Sequence, residues 1–223
     1  MTVLPSSPRP GPGVFITFEG TEGGGKSTQI QRLDVRLRTL GRRVRLLREP
    51  GGTPIGEEIR HTLKHSENNH AMTPEAELLL MNASRAQLVR EVIRPALDAG
   101  EVVLCDRFLD STVAYQGYGR GLDLADVNAV IHFAVGRTRP NLTLLLEVPV
   151  EVSERRRAAR TGTTTPVRDR FEEEDRAFFS KVEAGFRCQA AADPDRIRVI
   201  DASLDLDKVE AQIWKSVEPL FPS

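Results

Sequence analysis

Along the chain, short, mainly apolar runs alternate with longer stretches in which apolar residues return every three or four positions. The short runs cover residues 14–18, 44–47, 102–105, 142–146 and 197–200. Their length and mainly apolar make-up predict strands buried on both sides. The longer stretches predict helices at 28–40, closed by Gly41, at 55–63, entered through Pro54, and at 123–135. Further helices are predicted at 150–160, 172–191 and 204–217. A long helical pattern over 75–97 is expected to break or kink where Pro95 follows Arg94. Strands separated by helices make an α/β fold, a five-stranded parallel sheet with helices on both faces, in one domain spanning 14–223. Ligands of such sheets gather beyond the carboxyl ends of the strands, so the residues after each apolar run are the first candidates for chemistry. Two polar connections stand out, at 65–73 and 161–166.

Bulk properties narrow the classes. The 223 residues suit one domain with a real core, and 39% hydrophobic with 28% charged residues is ordinary for a soluble globular protein. A formal net charge of −1 provides no global field for nucleic acid or an anionic membrane. Any anion site must come from local arginines. Cys105 and Cys188 have no metal-type spacing, which points to a reducing cytoplasm rather than a disulfide framework. No apolar run approaches a membrane span. Residues 1–13, with four prolines, read as a disordered lead-in.

The first apolar run leads into Gly20-Thr21-Glu22-Gly23-Gly24-Gly25-Lys26-Ser27, with Thr28 opening the next helix. This is the G-x-x-x-x-G-K-[ST] pattern in its required setting, strand before and helix after. Glycines let the backbone N–H groups turn inward onto phosphate oxygens. Lys26 would reach the β- and γ-phosphates of ATP, and the Ser27 hydroxyl would ligate Mg²⁺. There is no Asn-Lys-x-Asp of the kind that reads guanine, and a chain this short suits a small-molecule kinase.

Three further strings narrow the substrate: Arg48-Glu49-Pro50-Gly51-Gly52-Thr53, Asp106-Arg107-Phe108 and Ala114-Tyr115-Gln116-Gly117. In order and spacing they resemble signatures of bacterial thymidylate kinases, and the resemblance covers 14–217. It implies a P-loop kinase fold with a mobile lid at about 153–170, a homodimer, and ATP-dependent phosphorylation of dTMP to dTDP. It also implies roles for particular residues. Arg48 and Arg107 would hold the acceptor phosphate, and Asp106 would support the metal or orient the acceptor. Arg85 would donate to O4 of thymine, Thr112 and Gln116 would read the base edge, and Tyr115 would pack near the deoxyribose. Glu22 would contact the sugar 3′-hydroxyl or the metal shell.

Two departures matter. The family usually carries an aromatic residue four positions before the base-reading arginine, where this chain has Met81. The phosphate loop also lacks the arginine of one subgroup, and the other subgroup places that cation in the lid. Arg155, Arg156, Arg157, Arg160, Arg168 and Arg170 cluster there, with Arg160 the best-matched position and Arg156 the second. His61 and His65 have the helical spacing of a zinc pair but no clear third ligand, and read as solvent-facing. The rival readings are a kinase of another pyrimidine monophosphate such as dUMP, or a nucleotide-binding regulator without turnover.

Overall fold

The computed structural model describes residues 13–149, 152, 153, 155, 156 and 174–222. The five apolar runs form β1 (Val14–Glu19), β2 (Val44–Arg48), β3 (Val102–Asp106), β4 (Leu142–Glu147) and β5 (Ile197–Asp201). All pairings are parallel, in the order β2-β3-β1-β4-β5. Each strand ends one residue past its apolar run on a charged side chain: Glu19, Arg48, Asp106, Glu147 and Asp201. The carboxyl edge of the sheet is therefore a row of charges. Register sharpens this, because Arg48 lies opposite Asp106, which lies opposite Phe18. The chain steps from β1 to the β2 edge, returns through β3, then crosses to β4 on the other side of β1. That reversal puts a crevice at the end of β1.

The helices are α1 (Lys26–Thr39), α2 (Pro54–His65), α3 (Pro74–Leu88), α4 (Arg94–Asp98), α5 (Leu109–Thr112), α6 (Leu124–Val135), α7 (Arg176–Ala192) and α8 (Leu206–Val217). Strand side chains alternate between the two faces. Ile16 and Phe18 pack with Ile30 and Leu33 of α1 and Val209 and Ile213 of α8. Phe15 packs on the other face with Leu78 and Leu88 of α3 and Ile131 of α6. Leu145 meets Phe178 and Val182 of α7. Both faces are covered over the central strands β1, β3 and β4. The edge strands β2 and β5 expose Arg45 and Leu46, and Arg198 and Val199, so burial on both sides does not extend to the edges.

At α7 and α8 the helix start follows a side-chain cap rather than the first apolar residue. Asp205 accepts from the Lys208 N–H at 3.0 Å, so α8 begins at Leu206 rather than 204. Asp175 accepts from the Phe178 N–H at 2.8 Å and starts α7 at Arg176, later than the expected 172. Each such cap contributes about 1 kcal/mol. Pro95 does not end the long helix. A widened π turn (Val89–Ile93) precedes it, and the proline falls in the first turn of α4, where its missing N–H leaves no bond broken.

The pattern gave no sign of the helix formed by α5 and the π turn that follows it (Val113–Gly119). Val113 to Gly117 are all buried, so this helix has no polar stripe for periodicity to reveal. Gly13 is not part of a loose lead-in, since its N–H donates to the Leu97 carbonyl at 3.0 Å. Of the helix expected at 150–160, residues 152, 153, 155 and 156 are helical. The rest of it, most of the expected lid at 153–170, the connection 161–166 and residues 1–12 lie outside the described residues. Among the described residues, no helix is long and apolar enough to cross a membrane.

Candidate active site

The phosphate loop sits at the end of β1, where the crevice opens. Gly20 has φ 120°, and a Cβ there would collide with the Leu146 carbonyl oxygen, so only glycine fits this close passage of two chains. Gly25, at φ 84°, turns the chain into α1, which begins at Lys26. The Lys26 ammonium donates to the Gly20 and Thr21 carbonyls, each at 3.0 Å. Burial, and then the Arg107 guanidinium, push the Lys26 pKa down to about 8, against the pull of Asp106, Glu22 and Glu19. The Ser27 hydroxyl donates to the Asp106 carboxylate at 3.2 Å. Asp106 is thus not a helix cap, because α5 starts without one. The Ser153 hydroxyl holds the Glu22 carbonyl at 2.6 Å.

The register of β2, β3 and β1 then brings the arginines in. Arg48 pairs with Glu57 of α2 at 2.9 Å, not with its neighbour Glu49 as a strand-end ion pair would have it. Strand geometry sends Arg48 and Glu49 to opposite sides. Glu57 also accepts from the Gly52 N–H at 2.7 Å, and both donors hold its carboxyl below the ordinary range. Arg107 has φ 65°, a left-handed conformation that costs a residue with a Cβ about 1 kcal/mol or more. Surrounding bonds fix it there. The Arg107 N–H donates to the Phe18 carbonyl at 2.9 Å, and the next N–H, of Phe108, to Glu19 at 2.8 Å.

Glu19 was missed by the sequence reading, although an acid ending an apolar strand was a visible signal. Its carboxylate also accepts from the Ser111 N–H and hydroxyl at 3.2 and 2.5 Å. Burial, then the nearby Asp110, raise its pKa to about 7, opposed by Arg107 and these hydrogen bonds. The Arg107 guanidinium donates to the Ser111 hydroxyl at 3.1 Å and lies 5.2 Å from the centre of the Tyr115 ring.

The far end of the cleft is built on α3 and the buried helix. Arg85 is 2% exposed, so it is no snorkelling surface residue. Its Nε donates to Glu49 at 2.7 Å, Nη1 to Asn82 and Thr112 at 2.9 Å each, and Nη2 to the Phe108 carbonyl at 3.1 Å. These contacts use four of the five N–H groups of a guanidinium and leave one on Nη2. Burial raises the Glu49 pKa to about 7, with Arg85 pulling it down. Gln116 donates through Nε2 to Glu77, itself fully buried, at 2.7 Å.

One cleft of about 240 Å³ joins these parts. Glu22, Gly23 and Gly25 to Thr28 line its phosphate-loop end, with Gly20, Thr21 and Gly24 forming the loop behind. Arg48, Asp106 and Arg107 line the edge of the sheet, and Met81, Arg85, Thr112, Tyr115 and Gln116 the far end. The sequence reading missed Arg60 and Lys64 of α2 and Phe179 of α7, which also line it. Phe179 gave no signal, since a phenylalanine in a helical pattern reads as core. Arg156, the second-choice lid cation, donates to the Ala202 carbonyl at 2.9 Å and does not line the cleft, while Arg160 lies outside the described residues.

The thymidylate kinase family profile matches residues 18–213. A thymidylate kinase of Syntrophotalea carbinolica is 51% identical over 201 residues, covering 90% of this chain and 93% of its own. One from Pseudomonas fluorescens is 50% identical over 210 residues, covering 94% and 95%. The crystal structure of thymidylate kinase from Ehrlichia chaffeensis shares the fold with a TM-score of 0.73 and 30% identity, over 93% of this chain and 99% of that one. The match runs from β1 into α8 and takes in every element that builds the cleft, so this chain belongs to the thymidylate kinase family.

Proposed function

We propose that the cleft holds ATP and dTMP with their phosphates facing each other, and that each end serves one nucleotide. The family activity is ATP-dependent phosphorylation of dTMP to dTDP, and the alternatives of another pyrimidine acceptor or of a non-catalytic regulator are not favoured. One observation carries the assignment of parts. Arg107 lines the same cleft as Lys26 and follows Asp106, which is hydrogen-bonded to Ser27, while its guanidinium lies 5.2 Å from the centre of the Tyr115 ring at the far end. It therefore stands where donor and acceptor phosphates would meet.

In this reading the backbone amides of Gly23 to Thr28 and the Lys26 ammonium hold the β- and γ-phosphates. Arg48 and Arg107 hold the acceptor phosphate, for which a forked guanidinium suits the oxyanion. Ser27 and Asp106 offer a hydroxyl and a carboxylate oxygen 3.2 Å apart, hard oxygen donors suited to Mg²⁺. That ion, when bound with ATP, neutralises charge on the phosphate oxygens. Catalysis is then positioning plus charge stabilisation, with no covalent role for the protein. Arg85 donates to the base carbonyl, Thr112 and Gln116 read the base edge, and Tyr115 and Glu22 contact the sugar.

A coupled ADP-release assay with dTMP, dUMP, dCMP and dGMP tests this directly. Turnover with dTMP should exceed that with dCMP or dGMP by about a hundredfold or more, since mismatched donors leave buried groups unpaired. Comparable rates on all four would contradict the assignment of the far end.

Met81 gives a finer expectation. A thioether covers a ring face less well than an aromatic, so Met81→Phe should lower the KM for dTMP about fivefold, roughly 1 kcal/mol of stacking. An unchanged or higher KM would make Met81 plain filler beside Phe179. For the transition-state cation the reading retains Arg160, and Arg160→Ala should cut kcat about a hundredfold with Arg168→Ala milder. Equal small effects would remove the lid assignment. We also assign the chain to the cytoplasm and to a homodimer. Phe133 of α6, 83% exposed, and Leu79 of α3, 58% exposed, sit on two helices that pack together, an apolar surface for a second copy. A monomeric mass by light scattering would refute the dimer, and recovery in a membrane or secreted fraction the compartment.

A further inference from the structure

We propose that Glu77, which does not line the cleft, fixes the sense of the Gln116 side-chain amide and so determines which base edge the cleft accepts. This rests on the reading that Gln116 faces the base of the acceptor nucleotide. Glu77, Met81 and Arg85 stand at four-residue intervals on α3, hence on one face of the helix. That face meets the buried helix carrying Thr112 and Gln116. Met81, Arg85, Thr112 and Gln116 reach the cleft, whereas Glu77 is 0% exposed behind them.

Among the described residues, three donor atoms converge on the Glu77 carboxylate. Gln116 Nε2 reaches Oε1 at 2.7 Å, Arg120 Nη2 reaches Oε2 at 3.0 Å, and Arg120 Nε reaches Oε1 at 3.3 Å. Arg120 is itself held by Glu174 through Nη1. A carboxylate paired with a guanidinium only accepts hydrogen bonds. The oxygen and nitrogen of a glutamine amide are interchangeable in shape, and their sense must come from the partners. Here the partner leaves one choice. Gln116 must turn its NH₂ to Glu77, and no side chain among the described residues donates to its Oε1.

The far end of the cleft then offers an acceptor, Gln116 Oε1, together with a donor, the remaining N–H on Arg85 Nη2. Thymine and uracil present the complement, a donor at N3 next to an acceptor at O4. Cytosine presents the reverse, an acceptor at N3 next to an amino group. With Glu77 in place, cytosine would set donor against donor and acceptor against acceptor in a buried site. Glu77 is thus a positioning residue for base selection, acting through Gln116.

The test is kcat/KM for dTMP and for dCMP, measured on the same sample so that any loss of folded enzyme cancels in the ratio. In Glu77→Gln, Arg120 can only donate, so an amide that keeps the shorter Nη2 contact gives up the 3.3 Å contact to Nε and turns its NH₂ to Gln116. Gln116 is then driven to reverse. The preference for dTMP over dCMP should fall about tenfold or more, carried by KM rather than kcat. The exchange variant Glu77→Gln/Gln116→Glu keeps the net charge and again leaves only an acceptor facing the cleft. It should recover most of the lost preference, which a merely structural role for Glu77 would not produce. Gln116→Leu separates the two levels of the argument. If it and Glu77→Gln both leave the ratio within about twofold, Gln116 does not read the base. If Gln116→Leu lowers the ratio but Glu77→Gln leaves it unchanged, or the exchange fails to recover it, the positioning role is overturned.

Discussion

Lys26→Ala is expected to lower kcat about a thousandfold while leaving the fold intact. The transferring phosphoryl group spreads charge over its oxygens, and a preorganised cation at that point lowers the barrier by several kcal/mol, on the order of 4. The second half of the expectation comes from burial. Lys26 is 8% exposed, and among the described residues it has no carboxylate within salt-bridge distance and donates to the Gly20 and Thr21 carbonyls. Its pKa is pushed from 10.5 down to about 8 in the ligand-free protein. A lysine with a depressed pKa binds protons less readily folded than unfolded, so below about pH 8 its charge opposes folding. Removing it should leave Tm at neutral pH unchanged or higher. The same shift predicts that the KM for ATP of the unaltered enzyme rises above about pH 8, where free Lys26 loses its charge. Circular dichroism melting with steady-state kinetics checks all three, and near-normal kcat in the variant would remove the role of Lys26.

Arg85→Ala should be the most damaging substitution for stability, at about 3–5 kcal/mol. Arg85 and Glu49 are 2% and 3% exposed at the side chain, and their 2.7 Å contact compensates a charge that water cannot reach. Glu49 Oε1 already has no hydrogen-bond partner, so Arg85 is the main support of that carboxylate. The loss has a pH signature whose sign follows from the raised Glu49 pKa. A carboxyl with a folded pKa of about 7 and an ordinary value of 4.5 binds protons more readily when folded. Its contribution is fully present below about pH 4.5 and disappears as pH rises through about 7. Without Arg85 the remaining cause, burial, raises that pKa further. Urea unfolding should therefore show a smaller deficit for Arg85→Ala at about pH 5.5 than at pH 8. A deficit independent of pH would mean that Glu49 is not the stranded charge. The KM for dTMP should rise as well, because the N–H that the proposed function assigns to the base goes with the side chain.

Much of the fold and part of the site were legible in the sequence because their signals are contiguous. The central strands β1, β3 and β4 announced themselves as apolar runs, since a strand covered on both faces needs few polar positions, while the edge strands β2 and β5 carry Arg45 and Arg198 at exposed positions. The phosphate loop was legible for the same reason. Gly20, Gly25, Lys26 and Ser27 act through backbone turns and reach set within eight residues. The buried helix after β3 was illegible because burial on all sides removes the stripe on which periodicity depends.

By itself, then, the sequence determined the parallel sheet, the row of charges at its carboxyl edge and the glycine-rich loop that turns from β1 into α1. Only the tertiary structure decided how the charges are paired. Glu49 belongs to Arg85, 36 residues away, and Glu77 to Gln116 and Arg120, 39 and 43 residues away. Arg48 belongs to Glu57 on the next helix rather than to its neighbour. Backbone turns and apolar runs are properties of neighbouring residues and can be read in order. Compensation of a buried charge is satisfied by whichever donor the packed sheet and helices bring within about 3 Å, and sequence separation carries no information about that distance.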